Sequence, residues 1–111
     1  SMAVDLERLA ENERVAVRMP SSLADYLRAT YSNLNLQGVP AERQALQLLL
    51  SEQVRYAVLD EAQLSRLSRE NEFSDLVVVG DIGLPQLLRL ATRRDQALLS
   101  GIVEALGAEL L

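Results

Sequence analysis

Apolar residues along the chain follow two rhythms. From Arg14-Val15-Ala16-Val17-Arg18-Met19 the residues alternate, which places Val15, Val17 and Met19 on one face of a short strand. Pro20 ends it, and Ser21 or Ser22 can cap the next element by accepting a hydrogen bond from a free backbone N–H. Leu23, Tyr26, Leu27 and Tyr31 then recur at helical spacing and predict a helix of about three turns. Residues 32–38 read as a polar loop with two leucines. Pro40 suits the first turn of a helix, where its missing N–H is no loss. Leu46, Leu49, Leu50, Val54, Ala57 and Val58 continue as an inward stripe that Leu64 and Leu67 resume. Together they predict one long helix over residues 41–67, with a kink or break where Asp60, Glu61 and Gln63 interrupt the stripe.

Residues 68–75 are polar and predict a turn around Phe73, the sole phenylalanine. Leu76-Val77-Val78-Val79-Gly80 is β-branched and short, as expected of an extended connection or a small strand. Gly83 and Pro85 mark a further helix start, with Leu84, Leu87, Leu88 and Ala91 as its apolar side. Asp95 can cap a last helix in which Leu98, Leu99, Ile102, Val103, Leu106 and Leu110 form a broad stripe. Gly101 and Gly107 would each cost that helix about 1 kcal/mol relative to alanine. The expected fold class is mostly α: a compact multi-helix domain with a short N-terminal β-strand or hairpin. Its expected bounds are residues 14–111, preceded by a flexible lead-in over 1–13 that opens on Ser1-Met2, read as a remnant of tag removal.

At 111 residues the chain corresponds to one domain, and 49% apolar residues are enough for a real core. No apolar run approaches the roughly 18 residues of a membrane span, and no signal-peptide pattern is present. A soluble, intracellular protein is expected. The net charge is -5, and all 11 basic residues are arginine. Codon bias in a GC-rich genome is the foremost explanation of its exclusive use; the functional one is that arginine suits fixed, bidentate contacts. Nucleic-acid affinity comes chiefly from neutralising phosphates, so an acidic chain is not expected to bind nucleic acid directly. Arg93-Arg94 and Arg66/Arg69 are too sparse to change that.

Histidine and cysteine are both absent. Their absence removes the commonest general base, the usual zinc ligands and the thiol nucleophile. Asp60 and Glu61 are adjacent, so on a helix they diverge and read as a solvated face. Ser21-Ser22 is accounted for by helix capping. Gly80-Asp81-Ile82-Gly83 lacks the surroundings of a phosphate loop. A methyl-lysine cage needs converging aromatics, and periodicity disperses Tyr26, Tyr31, Tyr56 and Phe73. These residues predict a non-catalytic binding domain with no cofactor and no metal, or else a helical self-association module.

Three segments together resemble the MRG domain, the helical interaction domain of chromatin-associated proteins. Val17-Arg18-Met19-Pro20 leading to Leu23, Tyr26-Leu27 and Tyr31 is similar to that family's strand, proline step and first helix. Val39-Pro40-Ala41 before Leu46, Leu49 and Leu50 resembles its Leu-Pro-Ala start of a helix, and Gly83-Leu84-Pro85-Gln86-Leu87-Leu88-Arg89-Leu90 its Gly-x-Pro-x-Leu-Leu-Arg-Leu signature. A typical MRG domain is longer in the middle. The resemblance implies a nuclear scaffold in histone acetyltransferase or deacetylase complexes. It would recruit a protein partner or a Phe-x-Leu-Pro segment through a hydrophobic groove. Carried over by position, the groove residues are Met19, Leu27, Arg28 and Tyr31, with Ser65 (where the family has tyrosine) and Arg93.

Overall fold

Val15, Ala16 and Val17 are all fully buried, so the first strand is covered on both faces rather than one. That is the signature of a strand inside a sheet with helices on each side. The computed structural model describes residues 4, 6–9, 11–82 and 88–99. In chain order it gives β1 (Arg14–Arg18), α1 (Ser22–Thr30), β2 (Asn35–Val39), α2 (Glu42–Leu50), β3 (Tyr56–Asp60) and α3 (Glu61–Leu67). These are followed by β4 (Leu76–Ile82), β5 (Leu88–Arg93) and α4 (Arg94–Leu99), with 3-10 turns at Leu6–Arg8 and Asn71–Phe73.

The strands form a five-stranded sheet in the order β2-β1-β3-β5-β4. β1 pairs in parallel with both β2 and β3, whereas β5 runs antiparallel to β3 and to β4. Two cores lie on opposite faces. Ala24 and Leu27 of α1 pack with Val15, Val17, Tyr56, Val58 and Leu90 on one. Ala45, Leu46 and Leu49 of α2, with Leu64 and Leu67 of α3, pack with Ala16, Ala57, Leu59, Phe73 and Ala91 on the other.

The expected mostly helical fold is therefore corrected to a mixed α/β sandwich of helices around a sheet. The helix expected over 41–67 divides into α2, β3 and α3. Its stripe failed to show this because Val54 to Leu59 is a continuous apolar run, which periodicity alone cannot assign to helix or strand. What breaks the helix is a local reversal: the N–H groups of Gln53 and Val54 both point to the Leu48 carbonyl, around Glu52 at φ 63. No helix runs up to Asp60 for a kink to interrupt: Asp60 ends β3 and caps α3 by accepting from the Gln63 N–H at 2.8 Å. The expected loop over 32–38 instead contains β2, an exposed edge strand whose polar positions hid it. Leu88 and Ala91, expected on a helix, lie in β5, which is buried between β3 and β4. The strand option for Leu76 to Gly80 is met by β4. The expectations for Gly83, Pro85, Gly101, Gly107 and the helix beyond Leu99 fall outside the described residues.

Candidate functional site

From β1 the chain winds through α1 outward to β2, then crosses back through α2 to β3 on the other side of β1. The loops leaving β1 and β3 thus diverge to opposite faces of the sheet. Open α/β sheets hold ligands in the crevice outside the carboxyl ends of strands at such a reversal. A concavity of about 100 Å³ lies there, lined by Arg18, Ser21, Ser22, Leu23, Glu42, Val58, Leu59 and Asp60.

Its lining is mostly polar, with Val58 and Leu59 almost fully buried beneath it. Ser21 is committed to structure: its hydroxyl accepts from the Ala24 N–H at 2.9 Å and donates to the Arg18 carbonyl at 2.7 Å. The neighbouring Ser22 hydroxyl is exposed and makes no hydrogen bond among the described residues. The first N–H groups of α1 have no partner within the helix and carry its positive dipole end. Across the crevice, Asp60 uses Oδ1 to cap α3, and its Oδ2 has no hydrogen bond among the described residues. Arg18 is held at the third side, its Nε donating to Glu42 at 2.7 Å. Next to Asp60, Glu61 accepts from Arg89 at 3.1 Å, and Arg89 also pairs with Asp81. These contacts, that to Glu61 foremost, raise the affinity of Arg89 for its proton and tie the β4–β5 hairpin to the crevice rim. The site thus presents hydrogen-bond donors on one side and an open carboxylate oxygen on the other.

The residues expected in a partner groove are only partly gathered. Met19, Leu27, Arg28 and Tyr31 sit around α1, with an Arg28 terminal nitrogen 3.1 Å from the Met19 sulfur. Leu27 is fully buried in the core and offers no surface to a partner. Met19 and Tyr31 are partly buried against the same core. Ser65 is exposed on α3, across the sheet from α1, and Arg93 ends the internal strand β5 at the amino ends of β1 and β3. Sequence reasoning passed over Ser22 and Asp60 as capping and solvated residues. The signal that finds them is the repeated strand-cap-helix junction, legible only once residues 56–60 are read as a strand. Among protein-family models, curated proteins and solved structures, no match to the chain is found.

Proposed function

We propose that this chain is a non-catalytic binding domain for a small zwitterionic solute, seated at the β1/β3 switch point. The observation that carries the reading is the convergence there of Ser22, the α1 N-terminus and the open oxygen of Asp60. An anionic group suits the α1 amides and the Ser22 hydroxyl, and a protonated amine suits Asp60. At about 100 Å³ the concavity falls below the range of roughly 300–1,000 Å³ typical of complete small-molecule sites. We therefore read it as one wall of a site that a facing domain completes by hinge closure, the arrangement of periplasmic binding proteins. This last step is an analogy of architecture, supported by the topology and the one-sided crevice.

Titration with glycine and other free amino acids, followed by backbone amide NMR, tests the reading. Saturable shifts are expected at Ser22, Leu23 and Glu61. Asp60→Asn keeps a good helix cap and so preserves the fold, yet should weaken binding by on the order of tenfold or more. Ser22→Ala should act in the same direction. Unmoved crevice amides at saturating probe would refute the proposal.

A second reading, a scaffold that recruits a protein partner, draws on the exposed rim of α1. Tyr26 is 37% exposed and lies on the same helix as the Arg28–Met19 contact. Capture of a Phe-x-Leu-Pro peptide that Tyr31→Ala abolishes without unfolding would favour it over the solute site.

A further inference from the structure

Arg14, Arg55 and Arg93 occupy one row across three adjacent strands. The parallel register Val15↔Tyr56 places Arg14 beside Arg55, and the Arg55 N–H donates to the Arg14 carbonyl at 3.0 Å. The antiparallel register Ala57↔Ala91 places Arg55 beside Arg93. By strand alternation Arg14 and Arg93 leave the sheet on the face of Ala16 and Ala91, the face that α2 covers, and Arg55, immediately before β3, lines the same cleft. They lie at the opposite ends of the strands from the solute crevice. There they line a cleft of about 420 Å³, closed on one side by Glu52 and Gln53 of the α2–β3 turn.

Like charges directly opposite each other on neighbouring strands, only about 4.8 Å apart, are destabilising unless something neutralises them. Arg93 is neutralised: Nη1 lies 2.8 Å from Glu52, and Nε 2.8 Å from Asp95. Glu52 reaches it from a left-handed backbone conformation that a glutamate rarely adopts. Among the described residues, Arg55 has only a distant partner, Glu13 at 3.8 Å. Arg14 has no ion pair among the described residues. Two arginines on neighbouring backbone positions thus line one cleft with a single weak acidic contact among the described residues, in a chain whose net charge is -5. Glu13 and Glu52 also border the cleft, so its charge is not uniformly positive, and the unmet demand is confined to the Arg14–Arg55 pair.

We propose that this cleft binds a small phosphate-bearing molecule, with Arg14 and Arg55 clamping the oxyanion and Arg93 forming the fixed end of the row. Planar guanidiniums bind phosphate oxygens through paired N–H donors, and the cleft volume falls within the range of small-molecule sites. The site is separate from the solute crevice and does not depend on it.

The probes are inorganic phosphate and pyrophosphate, each titrated into the full chain against sodium chloride of matched ionic strength and followed by NMR. Saturable shifts are expected at residues 14, 55 and 93, with pyrophosphate binding on the order of tenfold more tightly because it can engage both guanidiniums. Arg14→Gln and Arg55→Gln should each weaken pyrophosphate binding by on the order of tenfold while the rest of the spectrum is retained. Arg14→Lys keeps the charge but loses the planar fork, and should fall between wild type and Arg14→Gln. Arg94→Gln, adjacent but off the row, should leave binding unchanged. Shifts matched by chloride alone, or equal affinities in wild type and both glutamine variants, would overturn the proposal.

Discussion

Arg43 makes a two-point ion pair on the α2 side of the molecule. Its two terminal nitrogens donate to the two oxygens of Glu70 at 2.5 and 2.6 Å, and its guanidinium lies 5.8 Å from the centre of the Phe73 ring. Phe73 itself is fully buried, so this pair closes over a core side chain. The hydrogen bond from Arg43, then the charges of Arg43 and Arg66, hold the Glu70 carboxyl below its ordinary value of 4.5. A carboxyl so depressed stabilises the fold above its unfolded value. That contribution disappears as pH falls through the lower folded value. Because the pair is exposed, the effect should be small. Glu70→Gln is expected to flatten the acid limb of a plot of urea midpoint against pH, with the neutral midpoint lowered only slightly. An unchanged acid limb would show that Glu70 takes no part in acid unfolding.

Among the elements, β5 decides the architecture. It is the antiparallel strand between β3 and β4, and its only buried polar side chain, Thr92, donates to the Arg55 carbonyl at 2.6 Å. Thr92→Val keeps shape and β propensity but leaves that carbonyl without its partner. A loss of about 1–2 kcal/mol in chemical denaturation is expected, with the same sheet retained. A variant as stable as wild type would show that water replaces the hydroxyl. β5 also shows why elements were harder to read than caps. Ser21 and Asp60 act within three residues of themselves, so their roles are legible locally. Leu88, Leu90 and Ala91 become a strand because β3 and β4 supply hydrogen-bond partners on both sides, which no local window contains. Tertiary pairing overrides the helical preference of leucine and arginine there.

For the whole molecule, the sheet sets its two candidate sites at opposite ends of the same strands. Ser22 and Asp60 lie at the carboxyl ends of β1 and β3, Arg14 and Arg55 at their amino ends. Groups that far apart with no shared partner are expected to act additively. Asp60→Asn should therefore leave pyrophosphate binding intact, and Arg14→Gln should leave amino-acid binding intact; cross-effects beyond twofold or so would reveal coupling through the sheet. Local spacing and composition were enough for the β1 strand, the capped start of α1 and the lack of any imidazole or thiol. Each of these depends on residues a few positions apart or on composition. Only the tertiary structure decided the strand order, the burial of Leu27, the crevice between Ser22 and Asp60, and the row Arg14–Arg55–Arg93. Strand register brings those residues together across long stretches of chain, and hydrophobic periodicity holds no information about which strand pairs with which.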